Sequence, residues 1–177
     1  MGCVTAGSGT VVPALAGRAH LAAILATLDR PADGTTDALA ASLAALGRVT
    51  TRPAMVVVIS DFLAADHWPR LLRALAARHD AIAIEVVDER ELALPNVGLV
   101  QLVDPETGRR RLVDTRDQKI RVDYALAAHE QRARIATAIR GAGAQHLRVR
   151  TDGDWIADLV RFVASRRQQR LAVTGVR

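Results

Sequence analysis

Residues 55–62 read MVVVISDF: an apolar run, a serine, and an aspartate where the run gives out. A second apolar run, AIAIEVV at 81–87, follows after a stretch in which Trp68, Leu71, Leu72 and Leu75 recur at helical spacing. Two runs that are apolar at consecutive positions, joined by an amphipathic helix, predict parallel strands covered on both faces. This β-α-β order constrains the chain more than any other feature, because parallel strands need a crossover and the crossover puts helices on the sheet. The unbroken apolar character of 55–60 predicts a central strand, and ligands in such sheets collect at the carboxyl ends of strands, where Asp61 lies.

The remaining patterns fit around that unit. GCVTA and TVVPA, separated by GSG, predict a tight hairpin over Gly2–Pro13 at a sheet edge. Leu21, Ile24, Leu25 and Leu28 predict one helix, and Leu39, Leu43 and Leu46 a second, with Thr35, Thr36 and Asp37 offering oxygens to its first amides. VGLVQLVD, the turn PETG and RRRLVD predict an antiparallel hairpin projecting from the sheet, with Pro105 and Gly108 suited to its turn. A long helix should bury Ile120, Tyr124, Ala127, Gln131, Ile135 and Ile139 and stop at Gly141 and Gly143. AQHLRVR reads as the last strand, and a final helix from near Asp154 should turn Trp155, Ile156, Leu159, Val160 and Val163 inward.

The expected fold is therefore α/β: a three-layer arrangement of a mostly parallel sheet flanked by helices, with an inserted β-hairpin. Its 177 residues, half of them apolar, suffice for one domain, expected over 1–167, with a basic flexible tail over 168–177. The lone Cys3 excludes an intrachain disulfide, a redox pair and paired-cysteine zinc patterns, which fits a cytoplasmic location. No apolar run approaches the ~20 residues of a membrane span. The opening MGCVTA superficially resembles an acylation site but reads better as a strand. The net charge of +5 comes almost wholly from arginine, Lys119 being the only lysine, and aromatics are too few to stack on bases, so no nucleic-acid partner is expected.

Several chemistries are absent from the text. GCVTAGSGT lacks the Lys-Ser/Thr of a phosphate loop and opens no helix, and neither G-x-G-x-x-G nor G-x-S-x-G occurs at a strand end. His20, His67, His79, His129 and His146 show no metal-ligand spacing and read as helix-surface histidines, while DERE at 88–91 reads as solvated loop charge.

VVVISDF, AIAIEVVDERELALPNVGLVQLVDPETGRRRLVDT and LRVRTDGDWIADLVRFV together resemble the C-terminal part of the domain of unknown function 58 family, over about Gly2 to Arg167. The hairpin text is the most specific element. That resemblance implies a von Willebrand factor A-like (Rossmann-like) domain, commonly encoded beside MoxR-type AAA+ ATPases, with family members often carrying a membrane-anchored upstream region. In such domains a divalent cation, usually magnesium, is held by an Asp-x-Ser-x-Ser motif, a threonine and an aspartate. The resemblance assigns the aspartate to Asp61 and the threonine to Thr36, with Thr35 as runner-up, and hydroxyl and carboxylate oxygens suit a hard cation.

The Asp-x-Ser-x-Ser motif does not occur in the chain, where the only early serine is Ser8 and the first aspartate Asp29. The resemblance thus implies that the first, central strand is missing, as from a truncated product or a mis-started reading frame. The chain would then re-pair or self-associate through exposed strand edges. No cofactor is expected, magnesium only if the missing ligands come from elsewhere. The expected function is a non-catalytic interaction module that docks a protein, plausibly a MoxR-type ATPase. The alternatives are an α/β enzyme using Asp61 as its catalytic carboxylate, or a functionless truncated fragment in which Asp61 serves a turn.

Overall fold

The structure is a computed structural model, described over residues 1–5, 10–29, 38–64, 67–103 and 108–174, with backbone alone from 169 onward. It is α/β, with a three-stranded parallel sheet flanked by helices, as the alternation of patterns predicts. In chain order the elements are β1 (Cys3–Val4), β2 (Val11–Val12), α1 (Arg18–Leu28), α2 (Ala38–Val49), β3 (Met55–Ser60), α3 (Trp68–Ala76) and β4 (Asp80–Val87). A short 3-10 turn (Glu89–Glu91) leads to β5 (Leu99–Val103), β6 (Arg110–Asp114), α4 (Gln118–Gly141), β7 (Gln145–Arg150) and α5 (Trp155–Thr174). Helix α5 thus runs on through most of the span read as a tail. Among the described residues no helix is long and apolar enough to cross a membrane.

The chain forms two compact units that interleave in sequence. The first holds Met1–Val56, Phe62–Ala81 and Ala138–Ala144, and the second Val57–Asp61, Ile82–Thr137 and Gln145–Arg177. In the first unit β1 and β2 pair antiparallel, Cys3 opposite Val12 and Val4 opposite Val11, as a separate two-stranded sheet rather than an edge of the main one. Helix α2 buries Leu39 and Leu43, and α3 buries Trp68, Leu72 and Leu75, so the periodic residues of these two helices do face a core. Pro69 in the first turn of α3 costs no hydrogen bond, because that amide has no intrahelical acceptor. Phe62, with φ of 56°, is the one described non-glycine residue with positive φ, and its buried ring lies 5.0 Å from that of Trp68. Gly143, at φ 83°, ends α4 by turning its amide back onto the Arg140 carbonyl.

In the second unit β4 and β7 run parallel from Ile82 opposite Gln145 to Val87 opposite Arg150. The strand order is β3-β4-β7, which makes β4 the middle strand and corrects the central place expected for 55–60. Strand β3 buries Val56 and Val58 but exposes Met55, Val57 and Ile59. An apolar run is a necessary sign of two covered faces and not a sufficient one. Strands β5 and β6 form the expected hairpin, Leu99 opposite Asp114 and Val103 opposite Arg110, while its turn and Pro105 lie outside the described residues.

Three helical stripes differ from expectation, the first being that of α1, which buries Ile24 alone and leaves Leu21, Leu25 and Leu28 exposed. Helix α4 buries Arg132, Ile135, Ala136 and Ile139 and leaves Ala127 and Gln131 exposed, so the inner face is rotated to include an arginine. Helix α5 leaves its apolar stripe from Trp155 to Val163 in solvent, where the text predicts burial.

Candidate functional site at the carboxyl end of the first parallel strand

The geometry around Asp61 is set by Arg132, which reaches it from α4. The Arg132 Nη1 donates to the Asp61 backbone carbonyl at 2.9 Å and to Oε1 of Glu85 at 3.4 Å, and its Nη2 donates to the Glu91 carboxylate. One guanidinium therefore ties the end of β3 to the middle of β4 and to the turn after it. Arginine suits this task because its planar fork presents several donors in fixed directions. Asp61 itself takes a hydrogen bond at Oδ1 from the Ser60 hydroxyl at 3.4 Å.

Glu85 is the centre of the network and is wholly buried, at 0% exposure. It sits on the face of β4 whose alternate residues, Ala81, Ala83 and Val87, are also buried, and the parallel register sets Arg148 directly beside it. The Arg148 Nε donates to Oε2 at 2.9 Å and Nη2 to Oε1 at 3.4 Å, the same Nη2 reaching the Arg132 carbonyl at 3.3 Å. His146 Nε2 lies 2.8 Å from Oε2. Since an ionised carboxylate only accepts, Nε2 carries the proton in this contact. Burial pushes the Glu85 carboxyl up, but the hydrogen bonds and charge of His146 and Arg148 outweigh it and hold the group below its ordinary value. Two carboxylates, Glu85 and Glu91, face two guanidiniums, Arg132 and Arg148, with Glu85 and Arg132 buried and the other two part-exposed.

This network is where reading the text fell short. His146 belongs to a strand and to Glu85, and His79 is buried with neither ring nitrogen hydrogen-bonded, so neither is the helix-surface histidine expected. Within DERE, Glu91 pairs with Arg132 and Glu89 with Arg150, while Asp88 accepts from the Arg90 amide. A charge in the middle of an apolar strand, the E of AIAIEVV, was the available signal, because a buried carboxylate demands partners.

A second buried polar knot lies at the foot of the β5–β6 hairpin. The Thr115 hydroxyl is fully buried, accepts from the Val97 amide at 3.0 Å and donates to the Gly98 carbonyl at 2.7 Å. Arg121 then donates to the Thr115 and Arg116 carbonyls at 2.6 and 2.9 Å. Gly98 has φ of 91°, and a Cβ there would stand 3.3 Å from the Arg116 guanidinium.

Thr36 and Thr35 lie outside the described residues. For a magnesium ion the described residues at this end offer the Asp61 carboxylate beside the Ser60 hydroxyl. Those two oxygen donors do not by themselves make the near-octahedral set that magnesium requires. Among the described residues no group of three or more His, Cys, Asp or Glu is placed to hold a metal. Glu85 has its oxygens taken by guanidinium and imidazole donors, an arrangement that fixes geometry and leaves no lone pair turned to a ligand.

A parallel α/β sheet with a carboxylate at a strand's carboxyl end is the class the fold and site define. The chain belongs to the DUF58 family, protein of unknown function, whose model matches residues 1–134. It is similar to an uncharacterized protein of Mycobacterium tuberculosis strain H37Rv, 49% identical over 166 residues, covering 92% of this chain and 52% of that protein. An uncharacterized protein of Mycobacterium avium is 48% identical over 166 residues, 92% of this chain and 98% of that one. A Paracoccus denitrificans protein described as uncharacterized, in the moxR 3' region, is 44% identical over 63 residues, 34% of this chain and 59% of that one. The chain spans about half the length of the M. tuberculosis relative. No solved structure gives a significant match.

Proposed function

We propose that the chain is a non-catalytic, von Willebrand factor A-like interaction module that docks a MoxR-type AAA+ ATPase through the loop beginning at Asp61. The observation that carries the reading is the relative described by its place in the moxR 3' region, together with family membership. The geometry supports it in one respect: Arg132 ties the Asp61 backbone carbonyl to the buried Glu85 and to Glu91, so the loop starts from a hydrogen-bonded point. A preorganised start to a binding loop reduces the ordering cost of association. Magnesium enters this reading only where further oxygen ligands come from outside the described residues, and the module works in the cytoplasm, where ATP is available to such a partner.

The test is binding of the purified chain to the MoxR-type ATPase of its source genome, followed by biolayer interferometry. Saturable binding is expected, weakened about tenfold or more, ~1.4 kcal/mol, by Asp61→Ala. Asp123→Ala, an exposed change on α4, should leave it unaltered. Wild-type protein that shows no binding refutes the reading.

A further inference from the structure

The residue after Asp61, Phe62, holds φ at 56°, in the left-handed region that a residue with a Cβ enters at roughly a tenfold penalty in population. Such a conformation persists only where its surroundings over-determine it, and it collects at ligand clamps and switches. One restraint is the Phe62 ring, which is buried and lies 5.0 Å from that of Trp68. The other acts on the peptide that joins Asp61 to Phe62, whose carbonyl accepts from Arg132 Nη1 at 2.9 Å. A peptide plane can turn by about half a revolution between its two Cα atoms with little movement of the chain, as it does between turns of types I and II. That rotation would carry φ of Phe62 from 56° to about −120°, an ordinary extended value, and swing the Asp61 carbonyl away from Arg132. The hydrogen bond and the relaxed backbone therefore exclude each other. A bond from a cationic donor is about twice as strong as one from a neutral donor, which suits it to holding a strained residue. The aim of the donor is fixed in turn, because Glu85 accepts from the same Nη1 and Glu91 takes Nη2 of a side chain that is itself buried.

We propose that Arg132 is the positioning residue of the docking site, latching the peptide between Asp61 and Phe62 in the one of its two orientations that the partner recognises. The partner half of this inference rests on the docking reading, whereas the latch is a property of the free chain. In the latched orientation the Asp61 carbonyl is turned in to Arg132, and the opposite edge of that trans peptide is turned away from it. A chain without the latch divides between the two orientations, and its apparent affinity falls by the fraction left in the competent one. Lysine cannot substitute, since an ammonium group lacks the planar fork that meets Asp61, Glu85 and Glu91 together.

The test has two arms. In the free chain, the intraresidue nuclear Overhauser effect between the amide proton and Hα of Phe62 is strong only at positive φ. It is expected in the wild type and should be mostly lost in Arg132→Lys. In binding to the MoxR-type ATPase, Arg132→Lys should raise Kd about fivefold or more, in inverse proportion to the latched fraction. Glu91→Gln, a change at a part-exposed side chain, should show smaller losses on the same proportionality, and it serves if Arg132→Lys misfolds. Thr115→Val, which loosens the hairpin foot, should alter neither readout. An Overhauser effect retained in both variants overturns the latch. One that is lost while Kd keeps its wild-type value overturns its part in docking. A wild-type chain that does not bind refutes the docking reading and that part with it, and the Overhauser effect then decides the latch by itself.

Discussion

Glu85 is the wholly buried carboxylate on which Arg132, His146 and Arg148 converge. A buried carboxylate is tolerated because its partners repay desolvation, and removing its charge leaves Arg148 without its carboxylate partner and the buried Arg132 with Glu91 alone. Glu85→Gln is therefore expected to cost about 1–3 kcal/mol at neutral pH, read from urea unfolding. The pH dependence follows from the same contacts. With the folded carboxyl held below its unfolded value of about 4.3, the contribution is complete above that value and is lost as pH falls through the folded one. Acid titration of stability should thus show a steep loss below about pH 4.3 in the wild type, with that component missing from Glu85→Gln. Equal acid sensitivity in both proteins would show that the cluster does not govern it.

At the scale of elements, the termini and joints are the sensitive points. The Thr115 hydroxyl is the joint of the β5–β6 hairpin, and Thr115→Val keeps the shape while leaving the Val97 amide and Gly98 carbonyl without its oxygen. That change should cost about 1–3 kcal/mol and raise amide exchange at Val97 more than at Ile84 of β4. Helix α5 begins where the Asp154 side chain accepts from the Ala157 amide at 3.0 Å, so Asp154→Ala should cost ~1 kcal/mol by the loss of a cap. A melting temperature unchanged by either substitution would remove the corresponding role. Elements were legible because turn chemistry and period are local properties. The inner face of α4 was not, because placing Arg132 inward is favourable only once Glu85 is buried opposite it, and those residues are 47 positions apart.

For the whole molecule, the strands β3 and β4 each contribute residues to both compact units, so the division between the units falls within single strands. Unfolding should be a single cooperative transition. Trp68 lies in the first unit and Trp155 in the second, and they are the only tryptophans. In Trp155→Phe and in Trp68→Phe, fluorescence of the remaining indole and far-ultraviolet circular dichroism should give coincident urea midpoints within each variant. Separate midpoints would show two independently folding units. The exposure of Met55, Val57 and Ile59 also belongs to this scale, since whether a second face of β3 is covered depends on what the rest of the chain brings to it.

The order of periodic segments was enough to determine the α/β class, the position of Asp61 at a strand end and the antiparallel hairpin, because alternation of strand and helix patterns admits few layered arrangements. Only the tertiary structure decided that β4 is the middle strand, that the stripe of α5 faces water, and that Glu85, Arg132, His146 and Arg148 meet. Neighbours in a sheet and partners of a buried charge are chosen by the free energy of the assembled chain, to which segments far apart in sequence contribute jointly, and no local pattern of apolar residues records that choice.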